Sequence, residues 1–116
     1  MSKYIESNFL RSALIIIDTQ NDFSLPGAVA EVSGTIKIIP NIKKIIKIFR
    51  TKNFPIIHVV RIYKNDGSNV DLCRKKIIEN GKKIAVPHSF GSQIVENLLP
   101  NKKIKLNPEL LLKNEF

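Results

Sequence analysis

An apolar run that ends on an acid sets the architecture of this chain: Ala13-Leu14-Ile15-Ile16-Ile17, then Asp18. Five consecutive apolar residues, three of them isoleucine, read as a strand buried on both faces. Parallel strands sandwiched between helices have that pattern. The charge arrives at the carboxyl end of the strand. In open α/β sheets the loops at that rim converge on a crevice where ligands bind. A carboxylate placed there is a candidate for chemistry. The other reading is an Asp that caps the next turn, and the pattern alone favours it.

The rest of the chain is predicted to build on this strand. A long loop runs from Thr19 to Gly34, marked by Leu25-Pro26-Gly27 and Ser33-Gly34. Loops of that length in compact domains are often functional. Pro40 suits the first turn of a helix. Ile42, Ile45, Ile46 and Phe49 then recur at helical spacing, with Lys43, Lys44, Lys47 and Arg50 opposite. Asn53 fits the left-handed cap that ends this helix. A second strand covers Ile56–Val60, so strand, helix and strand form a parallel βαβ unit. His58 in its middle reads as a packed, hydrogen-bonded histidine rather than a catalytic one. Arg61 falls at the same rim as Asp18. It suits a substrate anion or, more simply, an ion pair. Asp66-Gly67 marks a turn. A helix is predicted over Val70–Asn80 with Gly81 at its end, placing Cys73 partly buried on an amphipathic face. Lys83–Pro87 reads as extended and Gly91–Leu99 as a short helix ended by Pro100. Beyond these lie Ile104–Pro108 and the apolar Leu110-Leu111-Leu112.

A chain of 116 residues suits one compact domain. Its 43% hydrophobic content supports a core. No stretch is long and apolar enough to span a bilayer, and the first residues lack the layout of a secretion signal. One cysteine makes no internal disulfide, which fits a reducing cytoplasm. The net charge of +9 raises the question of nucleic acid. The lysines are scattered in short pairs on helix faces and loops, with few aromatics between them for base stacking. A solvated surface explains them better.

Several chemistries are absent from the sequence. There is no phosphate loop and no dinucleotide fingerprint. His58 and His88 are isolated, and one cysteine completes no zinc site. No serine sits in a nucleophile elbow. No metal or cofactor is therefore expected.

The segment Leu14-Ile15-Ile16-Ile17-Asp18-Thr19-Gln20-Asn21-Asp22-Phe23 resembles the opening of the isochorismatase-like cysteine hydrolases. The resemblance continues through Pro26-Gly27, Ile39-Pro40-Asn41-Ile42 and Pro55–Arg61. It takes in Asp66–Arg74, then Glu109–Leu112 and Glu115-Phe116. It implies a three-layer α/β/α fold around a parallel, Rossmann-like sheet. It also implies hydrolysis of a carbon–nitrogen bond, or of an enol ether in isochorismatases. The amide-cleaving members use an Asp–Lys–Cys triad, in which the thiolate attacks the carbonyl, the Asp takes the thiol proton and the Lys stabilises charge. A free thiol is largely protonated at neutral pH, so a neighbouring base and a cation raise the thiolate fraction.

Asp18 matches the family's catalytic aspartate. Gln20, Asp22 and Phe23 match the motif around it and, with Arg61, are the residues expected to meet substrate, Phe23 as a pocket wall. Cys73 lies in a stretch that does not carry the family's nucleophile. Lys113 is set aside as the triad lysine, because similar proteins place that lysine further beyond a Leu-Leu-x-x-Glu-Phe segment. The zinc pattern of the nicotinamidase branch is missing after Val60. Residues 1–116 thus resemble a partial domain, incomplete at its C-terminal side and carrying one triad member of three. No amide hydrolysis is expected from this chain alone. The expected partners are a small-molecule substrate and either a second copy or a complementing fragment, with no membrane. The competing reading is a non-catalytic interaction or basic nucleic-acid-binding remnant. An incomplete sheet would leave an unpaired edge and an uncovered apolar face.

Overall fold

The computed structural model describes residues 6–101 and 109–115; the predicted segment over 104–108 and Phe116 lie outside them. Three strands, β1 (Leu14–Ile17), β2 (Ile56–Ile62) and β3 (Leu110–Glu115), form a parallel sheet in the order β1-β2-β3. Among the described residues three α-helices accompany them: α1 (Asn21–Ser24), α2 (Thr35–Thr51) and α3 (Lys75–Glu79). This is the parallel α/β class that the apolar run predicts.

Register explains the layers. In parallel strands, paired residues share a face. Ile16 pairs with His58, so Ile16, Ile56, His58, Val60 and Ile62 point to one side. Helix α2 covers that side with Ile39, Ile46 and Phe49, and Ile94, Val95 and Leu98 complete the cluster. On the other side Ile15 is 56% exposed and Ile17 61% exposed. The expectation that β1 is buried on both faces therefore fails within the described residues: only one helical layer packs on it.

Helix α2 starts earlier than Pro40 suggests. Gly34 adopts φ 90° and starts the helix at Thr35, leaving Pro40 in its interior. Proline there removes the N–H that would bond to the carbonyl of Ile36. The position is exposed, so water can supply the missing donor. The helix ends as predicted, with Asn53 left-handed at φ 58° and its N–H on the carbonyl of Arg50.

Strand β2 runs two residues past Val60, so Arg61 is a strand residue. The helix predicted over Val70–Asn80 shrinks to a 3-10 turn at Leu72–Arg74 followed by α3. Gly81 ends it with φ 82°. Cys73 is exposed on the 3-10 turn rather than partly buried on a helix. The helix predicted over Gly91–Leu99 reduces to a 3-10 turn at Glu96–Leu98. Here backbone groups bond to side chains and loops instead of to a helical ladder. His58 is buried as expected, with Nε2 3.3 Å from Glu109. Among the described residues, no helix is long and apolar enough to cross a membrane.

Candidate active site

Asp18 follows β1 directly. Its N–H donates to the carbonyl of Val59 at 2.9 Å, which extends the ladder by one step. Its φ of 57° then turns the chain out of the sheet. Left-handed backbone is uncommon outside glycine and clusters at functional sites, and Asp tolerates it better than most residues. The side chain lines a groove of roughly 390 Å³ together with Thr19, Phe23, Val32 and Arg74. Asp18 is thus at the sheet rim and facing a cavity.

Two guanidinium groups act on this carboxylate. Burial pushes the Asp18 carboxyl above its ordinary range, while Arg61 and Arg74 pull it back and Asp71 adds a smaller upward push. Arg74 stacks over Phe23, 4.7 Å from the ring centroid. Its Nη1 donates to the Tyr63 hydroxyl at 3.0 Å and to Asp71 at 3.1 Å. Arg61 lies 3.6 Å from Asp71 and 5.8 Å from the centre of the Tyr63 ring. The Tyr63 hydroxyl donates to Asp71. That hydrogen bond, with the two arginines, holds Asp71 below its ordinary range against its partial burial. Asp71 therefore anchors the pair of cations that face Asp18. Arg61 takes part in the ion pair that its sequence position also allows.

Gln20 and Asp22 have different surroundings. Gln20 is fully buried. Its Nε2 donates to the carbonyls of Arg61 at 2.7 Å and Ser92 at 2.8 Å, and its Oε1 accepts from the N–H of Arg61 at 2.7 Å. Asp22 accepts from the N–H of Ala85 at 2.7 Å. Its own N–H donates to the carbonyl of Gly91. Both side chains hold the 84–95 segment against β1 and β2. Of the motif from Asp18 to Phe23, Asp18, Thr19 and Phe23 line the groove.

The sequence passes over Arg74, Asp71 and Tyr63 as members of this site. The signal for Arg74 was present in the Asp71–Arg74 stretch of the resemblance. Lys113 lies on β3 opposite Val60 and lines a separate cavity with His88 and Leu111. Among the described residues, no group of three metal-ligating side chains is placed to hold a metal.

Known proteins share this fold. The model of the Isochorismatase domain matches residues 12–107. A probable inactive nicotinamidase of Arabidopsis thaliana is 32% identical over 93 residues, which is 79% of this chain and 47% of that protein. An isochorismatase family protein from Desulfovibrio vulgaris superposes with a TM-score of 0.75 at 35% identity, over 88% of this chain and 51% of its own. A cysteine hydrolase from Pseudomonas syringae gives 0.74 at 25% identity, over 95% and 49%. The chain spans about half the length of the relatives it matches.

Proposed function

The chain belongs to the isochorismatase family, and from that premise we propose that it supplies the proton acceptor, Asp18, of an amide-hydrolysing cysteine site. One observation carries this reading: Asp18 ends β1 at the sheet rim, left-handed and facing a groove, with two arginines acting on it. Partial burial makes its carboxylate a stronger base, as a group that must take a proton from a thiol requires. The arginines hold that basicity in check. The thiol then adds to the substrate carbonyl as thiolate, its proton passing to Asp18 and on to the departing amine. Cys73, the chain's one cysteine, is exposed on the turn before α3 and is not assigned that part.

A register observation favours a second reading for the cation. Ile17 pairs with Val59, and Val59 with Leu112. The next residues, Asp18, Val60 and Lys113, therefore stand at one level of the sheet. Two strand spacings separate the outer pair, about 10 Å between axes. In this reading Lys113, set aside from sequence, is the cation of the triad.

The test is a chimera. Residues 1–116 replace the matching half of the Pseudomonas syringae cysteine hydrolase, and ammonia release from small amides is followed. Turnover should appear and fall by at least a hundredfold in Asp18→Asn. A comparable loss in Lys113→Met supports the second reading. Turnover unaffected by Asp18→Asn removes the proposal. The 116-residue chain alone should release no ammonia.

A further inference from the structure

We propose that Arg74 receives the carboxylate of an anionic amide substrate and holds it in the groove with the scissile amide turned toward Asp18. The proposal deepens the reading of Asp18 as proton acceptor and rests on it. Two of the residues that line the groove are charged, Asp18 and Arg74; Thr19, Phe23 and Val32 line it with them. Of the two arginines that act on Asp18, Arg74 is the one on the groove wall.

A guanidinium beside a carboxylate either neutralises it or serves a ligand's anion. The contacts of Arg74 decide between these. Its ion pair is with Asp71, Nη1 to Oδ2 at 3.1 Å. On Asp18 it acts as a charge and not, among the described residues, as a hydrogen-bond donor. A counter-ion for Asp18 would close on it, whereas Arg74 is tied to Tyr63, Asp71 and Phe23.

That mounting is rigid. Tyr63 is fully buried, and its hydroxyl donates to Asp71. Burial and that bond keep the phenol above its ordinary value of 10, so it stays protonated and offers Arg74 a lone pair. Arg74 Nη1 donates to this oxygen at 3.0 Å, and the guanidinium lies over the ring of Phe23. Both hydrogen bonds leave from Nη1, so Nη2 is left to meet a ligand. A fork fixed before binding loses little freedom on meeting a carboxylate, whose two oxygens match its geometry. A neutral amide laid over Arg74 would strip water from the cation and return no partner of opposite charge. A bound anion would also strengthen the hold of Asp18 on a proton.

The test compares succinamate with succinamide, two amides of nearly equal size of which only the first carries a carboxylate. Each is titrated into the 116-residue chain and followed by amide NMR shifts. Succinamate should bind about tenfold more tightly, as a charge-assisted contact to arginine implies. Acetate should displace it and acetamide should not. Arg74→Met should erase the preference with circular dichroism unchanged. Arg74→Lys should keep part of it, because the charge remains without the fork. Failure of succinamate to bind, equal affinity for the two amides, or a preference that survives Arg74→Met overturns the proposal. If Arg74→Met does not fold, an undiminished preference in Arg74→Lys overturns it instead. Asp18→Asn should leave the preference in place while it abolishes turnover in the chimera, so failure of the anion subsite and failure of the proton acceptor are told apart.

Discussion

The side-chain amide of Gln20 pairs with the backbone of Arg61 as a neighbouring strand would. Its nitrogen reaches the carbonyl and its oxygen the N–H, each at 2.7 Å. The remaining N–H reaches the carbonyl of Ser92. Gln20→Ala leaves buried backbone groups without partners, and each such group costs about 1–3 kcal/mol. A loss of about 2–4 kcal/mol in urea unfolding is expected. Gln20→Glu should be worse at pH 7, because a buried carboxylate then faces two carbonyl oxygens. It should recover partly on acidification, when one oxygen becomes a donor. Equal stability of Gln20→Glu at pH 7 and pH 5 would contradict this account.

Gly91 and Asp22 are in direct contact. A β-carbon at position 91 would stand 2.0 Å from Asp22 Oδ2. The carboxylate cannot easily retreat, because it accepts the N–H of Ala85. Ala85 is itself left-handed at φ 45° and fully buried. Gly91→Ala should therefore cost about 1–3 kcal/mol, as overpacking does. Combining it with Asp22→Ala should cost less than the sum of the two single losses, since the clash is then gone. A thermal-melt double-mutant cycle reads this, and simple additivity would show that the two residues do not meet.

Stability should fall as the pH is lowered, through the cluster of His58, Glu109 and Arg50. Burial holds His58 below its ordinary value of 6.5, against the pull of Glu109. Among the described residues its Nδ1 has no hydrogen-bond partner. Below about pH 6.5 the unfolded chain takes up the proton more readily than the folded one, so stability declines. Burial works to raise the Glu109 carboxyl, but Arg50, the N–H of Asn101 and His58 together leave it below its ordinary 4.5. Its stabilisation is lost in turn as the pH falls below that value. Thermal melts from pH 7.5 to 4 should show both declines. In His58→Gln the slope between pH 7 and 5 should flatten. An unchanged slope would assign the decline to other groups.

The parts of this fold legible from sequence are those in which local chemistry decides. Uninterrupted apolar runs place β1 and β2, and Asn53 ends α2, because burial and backbone preference act within a few residues. The position of Asp18 at the rim follows directly. Where distant groups decide, the sequence misleads. Pro40 marks a helix start that Gly34 makes five residues earlier. Residues 84–95 have no regular period, because their backbone is held by the side chains of Gln20, Asn21 and Asp22. Arg74 reaches the site only because the 3-10 turn at Leu72–Arg74 brings it over Phe23. The apolar run by itself does not give the open face of β1; only the resemblance to a partial domain implies an uncovered face. An apolar strand looks the same whether its cover is present or not.

Asp18 should be a residue that weakens the fold it belongs to. Its backbone is left-handed, and burial disfavours its charged form. Groups placed for chemistry commonly carry such strain. Asp18→Gly removes both, so a gain of about 0.5–1 kcal/mol is expected in chemical unfolding at pH 7. Asp18→Asn keeps the left-handed tendency and removes only the charge. Its gain should be smaller at pH 7. A folded carboxyl pKa raised above the unfolded one destabilises above both values and ceases to do so below them. The advantage of Asp18→Asn over the parent should therefore shrink as the pH falls toward 4. If both substitutions lower stability, the carboxylate is held by its two arginines for the fold's sake, and it is not the strained base of a hydrolytic site.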